Sequence, residues 1–358
     1  MLTTRGRLAA IPVDADRVVI KCGLREVVVT FDGAEELVAT VLPLLDGTRR
    51  HDEVVAAVPG PRRDHVELLL AELRRRSMLL DGPAPERAAD EDDADALTAA
   101  FYAALVAPDA ARALQQASVT MIGQNLVTRA AARSLLECGL GHLVLVTDRL
   151  LDDDLVPVRW ASEKALDVVV PDVHDRVAVR DELRDPDVDD AAVLVAASDF
   201  GLASRLLELN RAAIAAGTRY LPAWVDQLVG RVGPLVHPGE TACLRCYTVR
   251  REANDPRRDV TRRVDGFLAD EPAGRGFVGL LPPVADAVGA LVAIEVVKAV
   301  TGMAPPDTAG RALDVNLVSY RGHSRRVLKV PRCPDCSEVV RVGPRVHTTG
   351  PQIPYKEV

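Results

Sequence analysis

A chain of 358 residues has room for two or three domains, and a hydrophobic content of 48% is ample for their cores. Only 3% of residues are aromatic, so those cores must be built from Val, Leu, Ala and Ile, and a formal net charge of -8 argues against nucleic acid or anionic membrane as partner. No apolar run reaches the ~20 residues of a membrane span, because Glu295 and Lys298 interrupt the best one; the N-terminus lacks a signal-like apolar region, so cytoplasm is the expected address.

Residues 1–82 read as a self-contained unit. Val18–Cys22 and Glu26–Phe31 are β-branched runs split by Gly23, Leu24 and Arg25, which predicts a hairpin, with a third strand near Leu8–Val13. Three helical segments follow. Leu37, Val38, Val41, Leu42 and Leu45 mark one face of the first, from Ala34 to Leu45, which Pro43 should kink or shorten. His51–Val58 predicts the second, with Asp52 near its positive end. Asp64 is expected to cap the third, whose Val66, Leu69, Leu70 and Leu73 form a stripe ahead of Arg74, Arg75 and Arg76. A small sheet plus three helices is a winged-helix-like α+β topology. A DNA reader of this shape should be basic, whereas residues 1–82 hold 12 Lys and Arg against 13 Asp and Glu. The arginine run suits a solvated helix end, and a peptide strand added to the open sheet edge suits the shape better than DNA.

Residues 83–96, with two prolines and six acids against one arginine, cannot bury enough apolar area to hold themselves ordered and read as a linker. A helix is expected over Leu97–Leu114. Ser118–Asp148 then runs strand, loop, helix, Gly-Leu-Gly turn, strand, the opening of a Rossmann-like nucleotide-binding α/β domain. Such loops cradle phosphate because glycines bring backbone N–H groups close to the anion. Here Gly123 is followed by Gln124, Asn125, Leu126, Val127 and Thr128, all with side chains, so the cradle reads as spoiled. Asp152–Asp154 read as a solvated acidic loop without further metal ligands. Residues 191–199 predict a buried strand ending at Ser198-Asp199, then a helix over Leu202–Ala216 and a strand at Thr218–Leu221.

Cys243-Leu-Arg-Cys246 and Cys333-Pro-Asp-Cys336 are the strongest chemical signal in the chain. Two intervening residues let both thiolates of a pair face one ion, and two such pairs complete a tetrahedral four-cysteine zinc site, structural because no position stays open for water. Two redox pairs, or free thiols, are the competing reading. Cys22 and Cys138 read as buried apolar residues. A helix over 283–300, apolar nearly all round, is expected to be buried, and the Pro- and Gly-rich tail 343–358 to be extended.

Residues 1–82, with LPLLDGTRRHDEVV followed by LLAELRRRSMLLDG, resemble the RiPP recognition elements, which bind leader peptides of ribosomally made natural products. The resemblance implies a leader lying as an extra strand beside the third strand, against Val27, Val28, Val29, Thr30 and Phe31, with Leu69, Leu73 and Arg76 of the third helix walling the groove. From VTMIGQNLVT through VLVAASDFGLASRLLELN, GPLVHPGETACLRCY and PPVADAVGALVAIEVVKAVTG to RCPDC, residues 114–337 resemble the ThiF/MoeB-like adenylating family, which implies a degenerate ThiF-like domain over 97–342.

Departures from that family's pattern weigh against ATP. Asp148 is left as one ribose acid, Arg159 is the only nearby candidate for a phosphate-facing arginine, and Lys164 stands for the family's catalytic lysine. Asp199, the metal-site aspartate, keeps its place but has Phe200 where the family has an amide. Together the two resemblances match ocin-ThiF-like and cyclodehydratase-partner proteins of azoline and thiopeptide pathways. They imply a leader-binding partner of a YcaO-type cyclodehydratase, homodimeric like ThiF relatives, with no catalysis of its own. The rivals are an ATP-dependent peptide-adenylating enzyme of the peptide-nucleotide antibiotic type and, less suited to residues 1–82, a sulfur-carrier activator.

Overall fold

The computed structural model describes residues 2–4, 8–22, 25–76, 78–82, 101, 110–152, 174–201, 204–226, 228–270 and 280–337. The chain divides into two compact units, Met1–Ala111 and Arg112–Val358. The expected linker, the tail and most of the expected 97–114 helix lie outside the described residues, which include α4 (Ala110–Gln116).

In the first unit, β2 (Ala9–Asp14), β3 (Arg17–Cys22) and β4 (Arg25–Thr30) form an antiparallel sheet in that order. Alternation turns Val18, Ile20, Val27 and Val29 inward onto Leu37, Val38, Val66, Leu70 and Leu73. α1 spans Ala34–Val41 and tightens into a 3-10 turn at Leu42–Leu44, the shortening that Pro43 demands. α2 (His51–Ala56) carries Asp52 and Glu53 in its first turn. α3 (Arg63–Arg75) starts one residue earlier than the expected cap. A 3-10 turn at Gly60–Arg62 feeds directly into it, so Asp64 sits in the first turn, where its charge suits the dipole without capping. A second small sheet, β1 (Leu2–Thr4) against β5 (Leu79–Asp81), joins the start of the unit to the stretch after α3 and has no sequence signal at three residues a strand.

The second unit is built on an eight-stranded sheet of order β13-β12-β11-β10-β9-β6-β7-β8. β6 (Ser118–Ile122), β7 (His142–Val146), β8 (Val177–Arg180), β9 (Val193–Ser198) and β10 (Tyr220–Asp226) are parallel. β11 (Val229–Val232), β12 (Arg311–Asn316) and β13 (Arg321–Arg326) extend them antiparallel. Strand order reverses between β6 and β9, and the crevice beyond their C-terminal ends is where open α/β sheets bind ligands.

α5 (Leu126–Glu137) leads from β6 to β7, α6 (Asp185–Asp189) precedes β9, and α7 (Ser204–Ala216) links β9 to β10. α8 (Leu244–Ala253), α9 (Arg258–Asp270) and α10 (Pro282–Thr301) complete the described helices. α10 buries Val284, Val288, Val292 and Val296 as expected, and it crosses α5 at Gly289, where a Cβ would lie 2.5 Å from that of Ala130. Only a glycine permits that approach. No helix among the described residues is long and apolar enough to cross a membrane.

Candidate functional site

At the switch-point crevice the N–H groups of the loop after β6 are taken by the chain's own oxygens. Gly123 adopts φ 95°, with Leu151 Cβ only 2.7 Å from where a Cβ would stand. Its N–H donates to Val146 O at 2.9 Å. The next N–H groups are also taken: Gln124 donates to Asp152 Oδ1 (2.7 Å), Asn125 to Thr128 Oγ1 (3.1 Å) and Leu126 to Asp199 Oδ2 (3.2 Å). Val127 and Thr128 both donate to Asn125 Oδ1, at 3.1 and 3.0 Å, which makes Asn125 the N-cap of α5.

Asn125 Nδ2 then bridges the crevice, donating to Ala197 O at 2.8 Å on the β9 side and to Leu151 O at 3.0 Å. Gln124 is itself buried, its Oε1 without a hydrogen-bond partner among the described residues. The loop therefore presents two carboxylates where a phosphate cradle presents bare N–H groups. A triphosphate seated here would meet those carboxylates in place of free N–H groups.

Of the residues expected around this crevice, Gly123, Asp148 and Asp199 come together, while Arg159 and Lys164 lie outside the described residues. Asp148 is committed: its Oδ2 pairs with Arg205 at 2.7 Å, its Oδ1 accepts the Leu150 N–H, and its side chain is 8% exposed. Arg205, on the first turn of α7, also pairs with Glu208 at 2.9 Å and had no sequence signal. Asp152 corrects the reading of Asp152–Asp154 as a solvated run. It accepts from both Gln124 N–H and Asp148 N–H (3.0 Å), because the turn at 148–152 folds it back under the loop.

The four cysteines of the two Cys-x-x-Cys pairs converge. Cys243, Cys246, Cys333 and Cys336 are all buried, with every Sγ within 4.8 Å of the others. The closest separations are 3.8 Å (Cys243–Cys246), 3.7 Å (Cys243–Cys333) and 3.6 Å (Cys246–Cys336). At a Zn–S distance of about 2.3 Å, a tetrahedral site of four thiolates has edges of about 3.8 Å. The cluster thus has the size of a metal tetrahedron, and its four sulfurs can hold one ion.

The thiols compete for charge. The Cys243 S–H donates to Cys246 and pulls its thiol down, with the Val330 N–H (3.3 Å) adding to the effect. Cys243 is pushed up by giving that hydrogen bond, and burial pushes Cys336 up to about 12. Four buried thiolates need a cation among them.

Both cysteine loops are tied to α7 through Asn210, which is fully buried. Its Oδ1 accepts the Leu244 N–H at 3.0 Å and its Nδ2 donates to Asp335 Oδ2 at 3.0 Å. Asp335, between Cys333 and Cys336, also faces Arg245 and Arg211 at 3.5 and 3.6 Å. Cys22 lies in the core of the first unit. Cys138, closing α5, is half-buried, its thiol pushed up by desolvation.

In the first unit β4 is an edge strand, and nothing among the described residues pairs its outer side. Of the expected groove residues, Val27, Val29, Leu69 and Leu73 are buried in the unit's own core, whereas Val28 and Thr30 are exposed. Phe31 is half-buried and stacked on His65 of α3, ring centroids 4.6 Å apart. Arg76 is exposed and pairs with Glu72 at 3.1 Å, and Arg75 with the same carboxylate at 2.5 Å, so the arginine run is engaged locally.

No curated protein matches the sequence. Solved structures match the fold. E. coli MccB with AMPCPP and MccA superposes with a TM-score of 0.67 at 15% identity, covering 94% of this chain and 99% of that one. E. coli MccB with ATP gives 0.65 at 15% identity and the same coverage. A heterocyclase in complex with substrate and cofactor gives 0.59 at 20% identity, over 94% of this chain and 39% of that one. The ThiF family itself matches residues 157–337, from before β8 to just past the last cysteine. With just over half of its residues in that match, the chain belongs to the ThiF family.

Proposed function

We infer that this ThiF-family protein modifies ribosomal peptides indirectly. It binds a precursor peptide through its first unit and presents it to a separate YcaO-type, ATP-dependent cyclodehydratase that forms azolines from Cys, Ser or Thr. One observation carries the reading: the phosphate-loop N–H groups are spent on the chain's own oxygens, two of them on the carboxylates of Asp152 and Asp199. A fold without a triphosphate cradle still serves as a tether, since holding the leader turns the core peptide's encounter with the catalyst into an intramolecular event. The leader would lie along β4, with Val28, Thr30, Phe31 and Arg76 in reach and Val27, Val29, Leu69 and Leu73 as the groove's floor. Zinc, one per chain, is the metal that four thiolates in a closed tetrahedron favour. The protein would work in the cytoplasm as a homodimer.

A second reading has its own support. MccB is matched over 99% of its length, and it has been crystallised with ATP and with AMPCPP. On that reading the chain adenylates its peptide, and the loop opens when nucleotide and peptide arrive together. Calorimetry with ATP-Mg2+, with and without peptide, separates the two. No heat in either titration and no pyrophosphate release supports the scaffold, whereas saturable binding with pyrophosphate release supports the adenylating enzyme. The scaffold also requires a fluorescent leader peptide, encoded beside the gene, to bind at micromolar concentration. Failure to bind would remove it.

A further inference from the structure

A concentrated patch of positive charge in this acidic chain lies at the opposite edge of the large sheet from β8. From Val315 to Pro334 there is no acid, but there are Arg321, Arg325, Arg326, Lys329, Arg332 and His323. β13 is the terminal strand, and among the described residues nothing pairs its outer side. Its register against β12 sets Arg321 opposite Asn316, His323 opposite Asp314 and Arg325 opposite Ala312. Alternation therefore puts Arg321, His323 and Arg325 on one face, where with Arg231, Asn316 and Ser319 they line a cavity of about 360 Å³. Asp314 sits between Arg231 and Arg325, at 3.4 Å from each. Arg231 is also bound to Asp226 at 2.9 Å, whereas Arg321 and His323 are exposed and, among the described residues, engaged with no acid.

We propose that this edge takes an acidic peptide segment as an added strand, its carboxylates at every second residue facing Arg321, His323 and Arg325. Directly opposed residues on neighbouring strands stand about 5 Å apart, so the cations at alternate positions set a two-residue period for the ligand. Charges on an edge strand also keep copies of a protein from pairing edge to edge. The two roles coincide here: the cations that repel a second β13 attract a strand of opposite sign. The inference holds whichever reading of the first unit is correct, because the strand belongs to the ThiF unit and lies five strands from β6, which carries the phosphate loop.

The test uses the full-length protein and fluorescein-labelled octapeptides. One alternates Glu and Val, its isomer has four Glu followed by four Val, and a third alternates Lys and Val. The alternating acidic peptide should bind about tenfold more tightly than its block isomer, and the lysine peptide not at all. An Arg321→Glu/Arg325→Glu variant with an unchanged melting temperature should lose that binding at least tenfold, and His323→Ala should lower it less. Equal binding of the two acidic isomers would overturn the strand geometry, and binding unchanged in the double variant would overturn the site. A single-stranded oligonucleotide that bound more tightly than the peptide would overturn the choice of ligand. Self-association abolished by the double variant, without peptide binding, would assign the edge to a second copy and overturn it equally.

Discussion

On α7, Asn210 ties together two loops whose four thiols point into one small volume, and Arg205, a turn and a half earlier, holds Asp148 beside a loop with no N–H to spare. Both corners are built from the same materials, namely a helix N-terminus, a tight loop and a long-range partner. Cys243 stands at the N-cap of α8 as Asn125 does at that of α5. The cysteine corner keeps its donors directed at a common centre, which demands an ion. At the crevice, Asn125, Asp152 and Asp199 turn theirs on the loop itself, which removes the demand.

The largest effect that tests this contrast comes from the cysteines. Cys243→Ser or Cys336→Ser should abolish the metal and, with it, the cooperative unfolding of the ThiF unit. Ion binding at such sites is worth on the order of 10 kcal/mol, comparable to the whole ~5–15 kcal/mol stability of a domain. Elemental analysis should give one zinc per wild-type chain and none per variant. A wild-type protein that melts identically with and without chelator would break the comparison.

Asn210→Ala should come next. It orphans the Leu244 N–H and takes from buried Asp335 its closest partner, so metal affinity should fall about 10- to 100-fold. Competition with a chromogenic chelator reads this directly. A loss of melting temperature without loss of affinity would show that Asn210 supports α7 and not the thiols.

At the crevice, Asp152→Ala should free the Gln124 N–H and remove one of two charges from the loop. Stability should fall by about 1–3 kcal/mol, the cost of a buried donor left unpaired. Pyrophosphate, without effect on the wild type, should raise the melting temperature of the variant. If it stabilises the wild type as strongly, the loop is not closed by its own carboxylates.

What the sequence made legible follows from how local each signal is. The β-branched run at Val18–Cys22, the apolar run at 191–199, Pro43, and the two Cys-x-x-Cys pairs each carry their meaning within a few residues, and the structure agrees with them. Asp152 did not, because its partner Gln124 lies 28 residues upstream and a run of acids looks alike whether solvated or folded back under a loop. Arg205 was hidden for the same reason, its partner being 57 residues away. β13 reads RGHSRR, with no apolar alternation to announce a strand, since it lies at a sheet edge and buries neither face. In the first unit, period-two alternation separates Val27 and Val29 from Val28 and Thr30, a distinction that a list of consecutive groove residues passes over.

The smallest expected effect concerns the Arg205–Asp148 pair, and it asks whether the crevice is merely closed or also braced. Arg205→Ala leaves Asp148, with a side chain 8% exposed, holding its charge with the Leu150 N–H. Arg205 is itself 28% exposed and shared with Glu208, so water screens part of the attraction and the loss should be about 1 kcal/mol rather than the several of a fully buried pair. Asp148→Asn alone should cost less, since the amide still accepts from Leu150. A double-mutant cycle on urea midpoints should therefore return a coupling of about 0.5–1 kcal/mol. Coupling near zero would mean that α7 is fixed from the cysteine side alone. A coupling of several kcal/mol would mean that the ion pair, and not Asn125, keeps the crevice shut.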